Sequence, residues 1–183
     1  MKHLITLIIL LLTLTCSSCH QGDGYERIAD RITGQVGKKL QRERGLFLVA
    51  IGGRMMHDIQ LMGMDFNFYS PLPIASIRPL IVYAVEEYLS AINSNEKVRP
   101  YLHNYPFTPE NVEIIIYFYN RDGSFVTPGE IEHVAAREGK LIYFTDEPER
   151  IRYIKTHVES FEEAVRICRS RSHSSTPPQQ AAS

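Results

Sequence analysis

From Ile77 to Ile92 the apolar residues Ile77, Leu80, Ile81, Ala84, Val85, Tyr88, Leu89 and Ile92 recur at alternating steps of three and one. That spacing traces one broad face of an α-helix. A helix with so wide an apolar face needs a covering layer, because tertiary burial rather than local propensity stabilises it in water. Pro79 places its start. Proline has no N–H to donate, so it is expected in the first turn, with Ser76 as the N-cap. Asn93-Ser94-Asn95 supplies a stop.

The flanking segments supply that covering layer. Leu46 to Ile51 is a continuous apolar run, the pattern of a strand covered on both faces. Gly52-Gly53 then suits a tight turn. Met55 to Tyr69 reads as a second strand whose alternation changes phase at Gly63, which predicts a bulge or bend there. Val112 to Tyr119 is a third strand, closed by the turn Asn120-Arg121-Asp122-Gly123. Glu130 to Arg137 and Leu141 to Thr145 read as two more, joined through Glu138-Gly139-Lys140. The first of these alternates weakly, and its pattern also admits a helix. Helical spacing marks both ends of the domain. Ile28, Ile32, Val36 and Leu40 predict a helix over Tyr25 to Arg44, weakened or broken at Gly34 and Gly37. Ile151, Ile154, Val158, Phe161, Val165 and Cys168 predict another over Glu149 to Ser170, broken near His157 to Ser160 with Ser160 capping its final part. The expected fold is a two-layer α+β sandwich, an antiparallel or mixed sheet of about four to five strands with amphipathic helices packed on it. The expected organisation is a signal peptide over residues 1–18, a tether over 19–24, one domain over 25–168 and a disordered tail over 169–183.

The first segment carries the address. Lys2 leads into the apolar run Leu4 to Leu14, 11 residues, then Cys16-Ser17-Ser18-Cys19. As a helix that run is roughly 17 Å long, short of the ~30 Å hydrocarbon core of a bilayer. Its length is that of the core of an export signal. Small residues before a cysteine resemble the cleavage box of bacterial lipoproteins, in which that cysteine is lipid-modified. Cys19 is the better match because Ser17 and Ser18 precede it, and Cys16 is the alternative. Cys16 also stands where the family usually has an aliphatic residue, three before the modified position. The resemblance covers the leader alone. It implies an exported protein of the cell envelope, held to a membrane by an N-terminal lipid anchor. His20 rather than Asp after Cys19 favours the outer membrane over the inner.

Charge and cysteine use narrow the partners. Cleavage before Cys19 removes Lys2 and no acid, so 20 basic residues become 19 against 21 acidic ones, a net charge of −2. So balanced a chain argues against nucleic acid, which calls for a broad basic field. With Cys19 acylated, Cys168 is the one thiol left, so no internal disulfide forms and Cys168 is expected as a small buried side chain. Tyr25 to Arg44 holds six basic residues against three acidic ones, a solvated helix face that could also lean on anionic lipid.

No stretch carries the grammar of a known active site. H-E-x-x-H, zinc-spaced cysteine pairs outside the leader, a phosphate loop and a G-x-S-x-G elbow are all missing, so no catalytic residue, metal ligand or cofactor is assigned. Glu86 and Glu87, adjacent on a helix, point 100° apart. The candidate binding residues are Arg99, Tyr101, His103, Tyr105 and Phe107, on a proline-rich connector. Loops on rigid scaffolds often carry recognition, and tyrosine with arginine dominates contact hot spots. The competing reading has Tyr101, Tyr105 and Phe107 plugging one end of the core.

Three functions therefore stand open. The first is a non-catalytic binding or envelope-assembly domain with a protein partner, marked by an exposed aromatic or apolar patch. The second is a hydrolase-type enzyme with a His/carboxylate site drawn from His57, Asp65, His103 and His133. The third is a carrier of a small apolar ligand, with Met and Phe side chains of Met55 to Phe68 lining a cavity. Oligomeric state is not encoded in any pattern of the chain.

Overall fold

The computed structural model describes residues 24–146 and 153–174. Helix α1 (Tyr25–Arg44) leads into strands β1 (Phe47–Arg54) and β2 (Leu61–Phe68). Helix α2 (Ile74–Ser94) follows, then two short 3-10 turns at Arg99–Tyr101 and Pro109–Asn111. Strands β3 (Val112–Phe118), β4 (Ile131–Arg137), β5 (Lys140–Asp146) and β6 (Tyr153–Ser160) then lead to helix α3 (Phe161–Ser174). The six strands lie side by side in chain order. All neighbours are antiparallel except β2 and β3, which are parallel. A parallel pair needs a long crossover, and α2 is that crossover. The fold is thus α+β with a mixed sheet, one strand larger than expected.

All three described helices lie on one face. Helix α1 packs over β1 and β2, α2 over β3 and β4, and α3 over β5 and β6. Met62, Met64 and Phe66 of β2, Val112, Ile114 and Ile116 of β3, and Leu141 and Tyr143 of β5 meet Ile81, Val85, Tyr88 and Ile92 of α2 in one fully buried core. Burying one such aliphatic side chain contributes about 1.5–3 kcal/mol, which holds the helix layer in place.

Several local expectations are corrected. Helix α1 is unbroken through Gly34 and Gly37, because packing on the sheet outweighs the ~1 kcal/mol propensity cost of a glycine. Gly37 serves that packing: a Cβ there would stand 2.7 Å from Leu48 Cδ2. Helix α2 begins one turn early, at Ile74 behind Pro73, so Ser76 is not its cap and Pro79 lies inside it. The Ala75 carbonyl that Pro79 cannot reach accepts from Arg171 of α3 at 3.4 Å. Residues 55–60 are not strand, and Gly63 carries no bulge; the register of β2 on β3 runs unbroken from Met62 to Phe68. The bulge sits instead in β1, between Leu48 and Ala50. Gly52 and Gly53 are strand rather than turn, and the apolar run ending at Ile51 is the sheet's edge, not a covered interior strand. Residues 131–137 are strand. The helical spacing read before Ser160 is strand β6 in its described part, while Ser160 does cap the final helix, accepting from Glu163 N at 3.1 Å. That helix runs on to Ser174, past the boundary expected at 168.

Candidate functional site

With the described helices on one side only, the residues alternating away from them form an open sheet face among the described residues. In β3 these are Glu113, Ile115 and Tyr117, continued by Tyr119; in β2 they are Leu61, Gly63, Asp65 and Asn67, continued by Tyr69. Cross-strand register then lines up rings. Phe47 meets Tyr69 edge-on with centroids 5.5 Å apart, Tyr69 lies 5.9 Å from Tyr119, and Tyr119 lies 6.0 Å from Phe125. Farther across, Tyr117 lies 5.5 Å from His133, which stacks on Phe144 at 4.3 Å and meets the edge of Tyr153 at 4.8 Å. Apart from the closer His133–Phe144 stack, these separations are those of favourable aromatic pairs. Phe47 is 43% exposed, Tyr69 40%, Phe125 57% and Tyr153 57%. A row of Ile115, Ala135, Ile142 and Val158, in register from β3 to β6, borders the rings.

The stripe also holds a carboxylate beside an imidazole. Strand β4 steps two residues, Ile131 to His133, against one step on β5. Such a bulge upsets strict alternation. Here the two neighbours' side chains meet: Glu132 Oε2 and His133 Nδ1 are hydrogen-bonded, both buried. Burial, together with Asp65 and Glu132, raises the hydroxyl pKa of Tyr117; burial and Glu132 do the same for Tyr119. Both stay protonated donors at ordinary pH. Burial first, and the charge of Glu113 second, push the Asp65 carboxyl upward.

The connector's residues separate. The Arg99 guanidinium stacks on the Tyr105 ring at 4.7 Å, and Tyr101 packs on Tyr25 at 5.3 Å. His103 Nδ1 pairs with Asp58 Oδ2 at 2.6 Å. Phe107 is buried, its N–H bonded to Asn93 Oδ1 at 2.8 Å. Phe107 therefore closes the end of the core, while Tyr101 and Tyr105 remain 41% and 51% exposed. The histidines disperse as well. His103 and Asp58 sit beside the start of β2, where Ile59 bridges to Leu102. His133 lies opposite Tyr117, five residues along β3 from Val112, or roughly 17 Å at strand rise. His57 is exposed. Asp65 shares the open face with His133 but is in register with Ile115, one strand nearer the β1 edge than Tyr117's strand. Among the described residues no three His, Cys, Asp or Glu side chains group to hold a metal. No described helix is long and apolar enough to cross a membrane. Cys16 and Cys19 lie outside the described residues. Met62, Met64 and Phe66 are core side chains.

Sequence reasoning missed Phe47, Tyr69, Tyr119, Phe125, Tyr153 and Glu132. The period-two placement of Asn67 with Tyr69 and of Tyr117 with Tyr119 was a usable signal for part of the stripe. Strand order and the β4 bulge carried the rest, and neither shows in local pattern. No protein-family profile, curated protein or solved structure matches the chain.

Proposed function

We propose that this chain is a non-catalytic binding module of the bacterial cell envelope, exported, lipid-anchored through Cys19, and engaging a protein partner across the aromatic stripe. One observation carries the binding reading: helices cover one sheet face, and the other presents a ring-to-ring path from Phe47 to Phe125 with side chains half-exposed. Tyrosine and phenylalanine supply large contact area at low conformational cost and are enriched in interface cores. The anchor reading rests on the leader, with Cys16 the alternative attachment point and the outer membrane the favoured location. Several acyl chains hold a protein where one does not, at about 0.8 kcal/mol per buried methylene.

A photo-cross-linking residue at Tyr69 or Phe125 in envelopes should give a discrete adduct that Tyr119→Ala removes, whereas the same residue at Glu162 on α3 should not. Equal adducts from both positions, or none from the stripe, overturn the binding reading. Fatty-acid labelling tests the anchor separately: Cys19→Ala should abolish incorporation, and unchanged label would transfer the site to Cys16.

A second reading rests on the Glu132–His133 bond, a carboxylate orienting an imidazole, the arrangement of a general base in a hydrolase. In that case His133→Gln abolishes hydrolysis of a panel of esters and amides that the intact chain turns over. No turnover by the intact chain removes this reading.

A further inference from the structure

An apolar strand at a sheet edge is the anomaly that β1 presents. Edges ordinarily carry charge, proline or short length, because their unpaired N–H and C=O groups template other strands. Strand β6, at the opposite edge, interleaves Lys155, His157 and Glu159. Strand β1 has eight residues with no charge before Arg54, and Val49 and Ile51 are 53% and 52% exposed. Beyond the Val49 bulge its pairing with β2 is regular, Ala50 with Asp65 through Arg54 with Leu61. Regular pairing leaves an outer edge uninterrupted by a bulge over those five residues.

Two depressions flank this stretch, one on each face, and both include Ile51, Gly52 and Gly53. The one on the open face, about 240 Å³, is floored by Gly52 and Gly63, which are register partners, and walled by Asp65 and Glu113. The one on the helix side, about 350 Å³, is walled by Glu26 and Asp30 of α1 with Thr33 and Met55. Each is therefore acidic. The nearby cations are Arg137, which bonds Glu113 at 2.8 Å, Arg54 at the strand's end, and Arg27 and Arg31 about a quarter-turn round α1 from the two acids. The Asp65 carboxyl stays raised despite Arg137, so added positive charge there is favoured.

The glycines differ in what the fold asks of them. At Gly53 a Cβ would stand 2.4 Å from the Leu61 carbonyl oxygen, so glycine is required. At Gly52 a Cβ meets nothing within 4 Å. Packing does not demand the bare floor, yet the bare floor keeps the depression open.

We propose that the Ala50–Arg54 edge is a strand-addition site for an extended segment of a partner protein that carries two adjacent basic side chains. Successive side chains of an added strand point to opposite faces. The residue beside Gly52 therefore falls over Gly63 towards Asp65, and its neighbour beside Gly53 falls towards Glu26 and Asp30. Strands lie about 4.8 Å apart, so a long arginine or lysine lying flat on the two glycines reaches the Asp65 carboxylate. Main-chain bonds to the edge supply affinity, and the two acidic depressions supply selectivity. A second copy of this chain fits less well, since its β1 offers only Arg54 for the two depressions. The site is distinct from the aromatic stripe and stands or falls separately from it.

The test uses the full chain and a short β-forming peptide of threonine and valine with two central arginines. Its controls replace the arginines by glutamates, or place a proline beside them. Backbone amides of Ala50 to Arg54 should gain hydrogen-exchange protection saturably with the arginine peptide. Binding should weaken at least about tenfold with either control, or with Asp65→Asn combined with Asp30→Asn. Gly52→Val should weaken it similarly without lowering the thermal unfolding midpoint. Equal binding of the arginine and glutamate peptides, no saturable protection up to millimolar peptide, or full binding by Gly52→Val would overturn the proposal. So would a concentration-dependent dimer of the free chain that Gly52→Val abolishes, since it would make a second copy the occupant.

Discussion

Arg78 Nε donates to both carboxylate oxygens of Glu159, at 2.8 and 2.9 Å, and the pair is buried between α2 and β6. Tyr143 OH adds a third bond to Glu159 Oε1 at 2.7 Å. The network ties the crossover helix to the last two strands, where β6 has little else buried. Removing one partner of a buried ion pair leaves the other desolvated and uncompensated, at about 3–5 kcal/mol. Arg78→Ala should therefore lower the urea midpoint by that equivalent. Replacing the network with Arg78→Met, Glu159→Leu and Tyr143→Phe should recover most of the loss. If Arg78→Ala unfolds at the wild-type midpoint, the pair does not hold β6.

Alkaline pH should weaken the fold through two buried phenols. Burial raises the pKa of Tyr88 and Tyr143 far above 10; Glu159 adds to the shift at Tyr143, and the Thr33 hydrogen bond opposes it at Tyr88. Above pH 10 the unfolded chain releases these protons and the folded chain keeps them. Stability is therefore full below pH 10 and falls as pH rises, by up to about 1.4 kcal/mol per pH unit for each tyrosine. Urea unfolding between pH 9 and 11 reads the slope. Tyr88→Phe should flatten it, and a slope unchanged by that substitution would contradict this account.

Two glycines in α1 should respond with opposite signs. A Cβ at Gly34 meets nothing within 4 Å, so Gly34→Ala should stabilise by about 0.5–1 kcal/mol through helix propensity. At Gly37 the added atoms meet Leu48, so Gly37→Val should cost about 1–3 kcal/mol by overpacking. Thermal midpoints of the two variants provide the comparison.

The outer rings should couple modestly. Phe47 and Tyr69 meet edge-on at 5.5 Å with both side chains about two-fifths exposed. A double-mutant cycle to alanine should give about 0.5–1 kcal/mol of interaction. Additive losses would mean that the rings touch without stabilising the free domain, leaving contact with a partner as their role.

Patterns inside one element were readable in the chain; relations between elements were not. The apolar stripe of α2 predicted a buried helix face, and Ile77, Ile81, Val85, Tyr88 and Ile92 do form one. The run from Leu46 to Ile51 predicted a strand correctly and its surroundings incorrectly, because a central and an edge strand can share the same local composition. At β6, Ile154 and Val158 sit four apart, as on a helix, yet Ile154 pairs with Thr145 and Val158 with Ile142. Neighbouring-strand hydrogen bonds overrode the local period there. Of the connector residues singled out, Phe107 entered the core and the exposed members pair with one another or with Tyr25 and Asp58.

By itself, the chain determined the main helix faces, most strand positions and the α+β class, since each depends on the spacing or kind of neighbouring residues. Tertiary structure decided which strand is the edge, which sheet face stays bare, and that a bulge brings Glu132 against His133. Those outcomes follow from strand order and register, which arise from pairing between segments distant in the chain. That pairing also assembled the aromatic stripe and the two acidic depressions.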